Sequence, residues 1–342
     1  MANSGNRSKR TVLVLLTALA GLHFAVIFAG FLAPYDATLQ DRELPYAPPT
    51  RPHFVNASGF HLRPFIYRSI ADGDDYKLDF HREYPVHWFV HGSAYKILGI
   101  FEFNIHFFGV DEPARISLLG TDAFGRDEFS RLLYGGQISL AAGLLATVLT
   151  LLTATMAGTI SGYYGKWIDE SLMGSAELFL CLPWLYFLIG VRAFLPLHLS
   201  AAKTFFLLIS VIGLIGWARP ARLIRGVVLS ARNRNYVLAA RGFGGTDLYV
   251  LRRHILPEAR AVLLTQSALL IPQYIAAEAT LSFFGLGVNE PVPSWGNMLS
   301  TLQQYSVLLS CHWLLAPACA LIITSVIYWR LADALHHWVK SA

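Results

Sequence analysis

The sequence predicts an all-α polytopic membrane protein of six transmembrane helices with a small, strand-containing extracytoplasmic insertion. Three observations carry this expectation. Of 342 residues, 54% are hydrophobic and 14% charged, whereas a soluble domain carries roughly 25% charge. The apolar residues gather in runs near the ~20 residues that a helix needs to cross the hydrocarbon. One long polar stretch, 34–137, interrupts these runs and alternates apolar with polar residues in places. The 22 Phe, 15 Tyr and 8 Trp exclude a disordered chain.

The expected spans are 11–33, 138–161, 172–196, 203–220, 262–285 and 307–329. Arg7, Lys9 and Arg10 precede the first, as in a secretory signal. Its apolar run exceeds a signal core of roughly 7–15 residues, and no small-residue cleavage pattern precedes Pro34, so an uncleaved span is expected. Cys181, Cys311 and Cys319 all fall in apolar runs and none in 34–137, so they read as small buried hydrophobes without a disulfide framework.

Charge orients the chain. The connection 219–260 carries nine arginines against Asp247 and Glu258, whereas 34–137 carries ten basic and fourteen acidic residues. Short basic loops stay cytoplasmic. The amino-terminal tail, the 162–171 turn, the 219–260 loop and the carboxy terminus are therefore expected inside, and 34–137 outside. The resulting division is a tail and first span over 1–33, the insertion and interfacial segment over 34–137, a five-helix core over 138–330 with the loop 219–260, and a tail over 331–342.

Within the insertion, Pro34, Pro45, Pro48, Pro49 and Pro52 predict an extended start. His53-Phe54-Val55 and Phe60-His61-Leu62 flank Asn56-Ala57-Ser58-Gly59, a short hairpin pattern. Residues 101–107 alternate apolar and polar, the period of a half-buried strand. That period argues against a seventh span over 86–110.

The chain lacks a nucleotide cradle: Gly162-Tyr163-Tyr164-Gly165-Lys166 has the wrong glycine spacing and no following hydroxyl. No His-Glu-x-x-His or Gly-x-Ser-x-Gly pattern occurs. His87 and His91, four apart, would share one helix face as metal ligands; the competing reading is a surface pair. An ionisable residue inside a span is a functional candidate, since each costs at least ~2.5–3.5 kcal/mol at mid-membrane. Glu177 and Arg192 sit near opposite ends of their span, about 22 Å apart along a straight helix, and reach toward the two interfaces. Glu278 lies deep in its span among small neighbours, where it either lines a pathway or packs.

The 219–260 loop is longer than a turn requires. Tyr236–Arg241 reads as helix, Gly242, Gly244 and Gly245 break it, and Thr246 caps a second helix with Asp247 in its first turn. Leu248, Leu251 and His254-Ile255 recur at helical spacing before Pro257, giving an apolar stripe beside an arginine face. Such a helix pair suits docking into a partner's groove; an anionic lipid surface is the competing reading.

At this loop the sequence resembles the permease subunits of binding-protein-dependent ABC importers. Their signature is Glu-Ala-Ala, three residues, Gly, nine residues, then x-x-Leu-Pro. Ala239-Ala240, Gly244 and His254-Ile255-Leu256-Pro257 match, with Leu238 in place of the glutamate. Gly120-Thr121-Asp122 through Gly125-Arg126-Asp127, Trp217-Ala218-Arg219, Glu278 through Gly287, and Pro293 through Leu299 resemble more narrowly the C-type permease of dipeptide, oligopeptide and nickel importers. The likeness covers about 120–330 and leaves the long insertion unexplained.

The resemblance implies a type I ABC importer permease in a bacterial cytoplasmic (inner) membrane, with both termini cytoplasmic. It implies a transporter and not an enzyme, without cofactors of its own. Its expected partners are a second homologous permease, one or two ATP-binding subunits and an extracytoplasmic substrate-binding protein, within the lipid bilayer and without nucleic acid. The 244–257 helix would couple ATPase closure to the spans, with Ala239, Ala240, Gly244, Thr246, Asp247, Leu251, Arg253, His254, Leu256 and Pro257 at the contact. Gly244 would permit the chain reversal and Pro257 would end the helix before the fifth span. Gln273, Glu278, Ser282 and Phe283 are the candidates for the pathway, with peptides as cargo. The alternative is an ion-coupled secondary transporter using Glu278; that class predicts several buried carboxylates and similar halves, whereas the sequence offers one convincing candidate, Glu278, and no repeat.

Overall fold

The computed structural model describes residues 2–56, 59–73, 75–97, 99–193 and 200–341. Helices α1 (Ala2–Ile27) and α2 (Ala29–Leu32) lead into strands β1 (His53–Asn56), β2 (Gly59–Asp72), β3 (Asp75–Pro85), β4 (His87–Ile97) and β5 (Phe101–Gly109). There follow α3 (Glu128–Tyr164), α4 (Lys166–Cys181), α5 (Trp184–Ala193), α6 (Ala201–Ile215), α7 (Ala218–Ala231), α8 (Asn235–Gly242) and α9 (Asp247–Val250). The last helices are α10 (Arg260–Phe283), α11 (Trp295–Leu299), α12 (Tyr305–Ser310) and α13 (Ala316–Ser341).

Among the described residues, three stretches are long and apolar enough to span a bilayer alone: 9–27, 128–164 and 312–338. The bent pair α6–α7, turning by 43°, makes a fourth. The remaining expected spans depart for identifiable reasons. The third is interrupted at Leu182-Pro183, where Leu182 is extended (ψ 128°), because a proline ring disfavours helical geometry in the residue before it. The straight-helix separation of Glu177 and Arg192 therefore does not hold. Glu177 is exposed on α4, while the Arg192 side chain and residues 194–196 lie outside the described residues. The fifth is an unbroken helix of 24 residues, long enough at about 36 Å, but Gln266, Pro272, Gln273 and Glu278 dilute its hydropathy.

The chain divides into two compact units. One comprises 1–19, 142–278 and 323–342. Here α3 presents small residues to its neighbours. A Cβ at Gly143 would fall 2.5 Å from Ile275, one at Gly158 2.5 Å from the Ala221 carbonyl, and one at Gly162 2.8 Å from Val228. Backbones close enough to exclude a methyl group gain dispersion along the whole crossing. Thr150 donates to the Gly213 carbonyl (2.8 Å) and lies 2.9 Å from the Tyr274 hydroxyl.

The other unit comprises 20–141 and 279–322. Its strands form an antiparallel sheet β1-β2-β3 and a hairpin β4-β5, so 86–110 is a hairpin and no span. The 53–62 turn is the expected hairpin, with Asn56 opposite Gly59; residues 57 and 58 lie outside the described residues. His87 and His91 sit on a strand, which removes the helix-face argument for a metal pair. Among the described residues no group of three potential metal ligands occurs. Cys311 is buried, but Cys181 and Cys319 are exposed, against expectation.

A polar network anchors this unit. The Asp122 carboxylate accepts from the Phe124 and Arg126 amides (2.8 and 3.0 Å) and from Arg126 Nε (2.6 Å). Arg126 Nη1 and Arg131 Nη2 then grip the two oxygens of Glu290 at 2.6 and 2.8 Å. Both arginine side chains are nearly sealed from solvent, at 5% and 2% exposed. Asp127 accepts from the Ser130 amide and hydroxyl (2.8 and 2.5 Å), which satisfies a donor of the first turn of α3. Burial pushes its carboxyl up to about 6, opposed by these hydrogen bonds.

Candidate functional site

The segment 235–259 is the best-defined candidate. The structure realises the expected sequence of helix, glycine break and capped helix. α8 ends at Gly242, and Gly244 takes φ +86°, a left-handed value open to glycine without a Cβ penalty. Thr246 caps α9 by accepting from the Tyr249 amide (3.3 Å), with Asp247 in the first turn.

Beyond α9 the helix does something the sequence reading missed. Residues Leu251–Ile255 form a π turn, closed by the Leu256 amide donating to the Leu251 carbonyl, and a 3-10 turn Leu256–Ala259 leads directly into α10. Pro257 therefore does not end the helix before the fifth span. It stands in the first turn of the 3-10 piece, where a missing N–H is tolerated. The wider π turn also shifts the face. Val250 and Ile255, five apart, are both fully buried together with Ala259, and Leu251 is half-buried against them. Leu248, expected in the apolar stripe, instead lies on the solvent side with Tyr249 and Phe243, the last 92% exposed.

Two contacts fix this segment to α3, and a third fixes the chain just before it. The Tyr163 hydroxyl, at the end of α3, donates to Asp247 Oδ1 at 2.5 Å. The Arg241 guanidinium lies 4.5 Å from the Tyr163 ring centre, within cation–π range. Arg232 Nη1 donates to the Gly162 carbonyl at 2.9 Å. Below these, Arg225 on α7 grips Asp169 on α4 with two 2.5 Å hydrogen bonds, and the Ser161 hydroxyl also donates to Asp169. The Arg225 hydrogen bonds hold the Asp169 carboxyl below its usual range. Glu258 accepts from the Tyr236 hydroxyl at 3.1 Å and from Arg234 at 3.4 Å.

The sequence-predicted contact residues are thus brought together on one short segment. Ala239, Gly244, Thr246, Asp247 and Arg253 are exposed; Ala240, Leu251, His254, Leu256 and Pro257 are half-buried. Arg253 joins Thr246, Leu248, Tyr249 and Arg252 along a shallow groove of about 480 Å³. Tyr163, Asp169, Arg232 and Arg241 were not anticipated. The Gly158-x-x-x-Gly162 spacing would have signalled the close helix crossing that brings them into range.

The predicted pathway residues are not gathered. Gln273 lines a cavity of about 180 Å³ with Leu188, Ile212, Arg219 and Tyr274, but Glu278, Ser282 and Phe283 are not among its lining residues. Glu278 is fully buried. Ser282 Oγ accepts from the Val288 amide (3.2 Å) and so closes the turn after α10, while the Phe283 carbonyl accepts from Gln303 (2.8 Å).

Comparison with known proteins adds a family. Residues 154–341 match the binding-protein-dependent transport system inner membrane component family. The chain is similar to the dipeptide transport system permease protein DppC of Bacillus subtilis (strain 168), with 34% identity over 225 residues, 65% of this chain and 68% of that protein. It is 38% identical over 188 residues to the oligopeptide transport system permease protein OppC of the same organism, covering 55% of this chain and 60% of that one. To the glutathione transport system permease protein GsiD of Pectobacterium atrosepticum the identity is 31% over 223 residues, 65% and 72% of the two chains. Among solved structures, an amino acid ABC transporter with histidines aligns at a TM-score of 0.45 and 18% identity, covering 60% of this chain and 92% of that one.

Proposed function

The chain belongs to the binding-protein-dependent transport system inner membrane component family, and from that premise we propose that it forms one half of the pathway by which an ATP-driven importer carries peptides inward. It is a multi-pass inner-membrane permease with the type I ABC importer fold, not an enzyme, and its family works with ATP-binding subunits and a substrate-binding protein. Peptides are the cargo supported by relatives named for dipeptide, oligopeptide and glutathione transport. The ion-coupled alternative finds no support among these relatives. A second permease, one or two ATPases, both termini in the cytoplasm and no cofactor in this chain complete the reading. The basic 219–260 loop and the acidic 34–137 stretch support that orientation.

One observation carries the assignment of the ATPase contact. The 235–259 segment is braced on its inner side, while its outer side presents Phe243, Leu248 and Tyr249 to solvent beside Arg252 and Arg253. An exposed apolar surface on a rigid mount is the form a docking element takes. Because the segment runs without a break into α10, a push on it is delivered to the fifth span as rigid-body motion. Gln273, at the cavity beside Arg219, is the pathway candidate with the best geometric support.

The test is uptake of labelled peptide by proteoliposomes holding the assembled importer, its ATPases and its binding protein. Uptake should require ATP and survive collapse of the proton gradient. Gly244→Pro or Arg253→Glu should cut uptake at least tenfold while the chain stays inserted and ATP hydrolysis persists. Uptake that ignores ATP, or crosslinks from 244–257 that never reach an ATPase, would overturn the reading.

A further inference from the structure

The β4–β5 hairpin presents an apolar face that the transport reading does not use. Phe101, Phe103, Ile105 and Phe107 alternate along β5 and so share one face of the sheet. At its inner end this face is packed on the outer end of the first span. Phe107 meets Phe31 of α2, with ring centres 5.8 Å apart. Tyr95, which pairs opposite Phe103, lies so close to Gly30 that a Cβ there would fall 2.2 Å from its ring. Beyond this contact the same face has no cover: Phe103 and Ile105 are exposed, as is Phe101 at 62%, and exposed Ile100 extends the patch. Phe89 and Trp88, both exposed, ring Phe107 at 5.9 and 5.3 Å. The opposite face of β5 carries exposed Glu102 and Asn104, and toward its end the buried His106 and Phe108, His106 lying 2.6 Å from the Ala33 carbonyl.

We propose that this hairpin is an interfacial membrane anchor: its Phe101–Phe103–Ile105 face rests on the outer leaflet, continuous with the lipid that surrounds the first span. Position chooses lipid as the occupant. The face begins against Gly30 and Phe31, immediately after a helix apolar enough to span a bilayer (9–27). A surface carried outward at that height meets headgroups and the first acyl carbons. Aromatic rings favour that depth. The hairpin has only two strands, so its open edges keep unpaired N–H and C=O groups that hydrocarbon would penalise. It therefore lies in the interface with its side chains immersed, Glu102 and Asn104 facing water, in the manner of a surface-bound amphipathic helix.

Single cysteines at 101 to 105, in a full-length chain whose Cys181, Cys311 and Cys319 are replaced by serine, would each carry an NBD fluorophore. The chain is reconstituted into phosphatidylethanolamine–phosphatidylglycerol vesicles. Nitroxide-labelled lipid should quench positions 101, 103 and 105 at least twofold more than 102 and 104, with iodide giving the opposite order. Equal access of iodide to all five positions would overturn the proposal. So would shielding of 101, 103 and 105 from iodide that appears only when an external binding protein or a second permease is added, since the face would then be a protein contact. Phe103→Ser should lower lipid quenching at a label on 101 while iodide quenching at 104 is retained; no change at 101 would also count against the anchor.

Discussion

Two arginine–carboxylate assemblies, one in each unit, show how burial changes what an ion pair does. In the unit of 20–141 and 279–322, Arg126 and Arg131 are sealed and converge on Glu290 and Asp122. In the other unit, Arg225 and Asp169 make an equally close bidentate pair, yet their side chains remain 33% and 17% exposed. Water screens the second pair and can replace either partner, so its net contribution is small. In the first assembly Arg126, Arg131 and Asp122 have lost their water, while Glu290 stays 46% exposed at its rim; the three sealed charges depend on one another to offset desolvation. The first assembly is therefore a fixed staple. The second is a brace that water screens.

The largest break in this comparison should come from Arg131→Ala. It leaves the 46% exposed Glu290 with Arg126 alone and removes a charge near Asp122, at a cost of about 3 kcal/mol, the low end for a broken buried pair, seen as a large fall in the unfolding midpoint of the purified chain in detergent. Gly158→Val should come next, at about 1–3 kcal/mol, because its Cβ would meet the Ala221 carbonyl at 2.5 Å. Hydrogen exchange should then rise in 235–259 more than in 120–131. Asp169→Asn should cost only about 1 kcal/mol. A loss as large as that of Arg131→Ala would erase the distinction between staple and brace.

The pH dependences sharpen the same contrast at two residues, since Asp127 in one unit and Asp169 in the other are shifted in opposite directions. Asp127 keeps its proton in the folded chain up to about 6, whereas unfolded it loses it near 3.8. Its contribution to stability therefore declines as pH rises through that window. Asp169 is shifted down; its contribution is present above the ordinary carboxylate value and is lost as pH falls through the lowered one. Melting curves of Asp127→Asn and Asp169→Asn against the parent chain should differ in slope with opposite sign. Slopes of the same sign would refute the assigned environments.

Much of the candidate site was legible in the chain. The cap at Thr246, the left-handed turn at Gly244 and the α8 helix follow from side-chain chemistry within a few residues. The face of the following turn was not legible. A 3.6-residue period placed Leu248 with Leu251 and Ile255, but the π turn inserts a residue and buries Val250 with Ile255 instead. Likewise, Pro257 carries a local stop signal that a 3-10 turn absorbs. The pathway candidates separated because burial and cavity lining depend on packing: Gln273 reaches a cavity while Ser282 is committed to a turn.

By itself, the sequence determined that this chain is a membrane protein, which segments are apolar, where β1, β2 and β5 begin and that the loop is basic. These follow from composition, period and charge, quantities summed over neighbours in the chain. Tertiary structure alone decided that Tyr163 holds Asp247, that Arg126 and Arg131 share Glu290, and that half of an alternating strand stays uncovered. Such contacts join residues up to 164 positions apart. Their strength is set by what excludes water around them, and no local pattern records that.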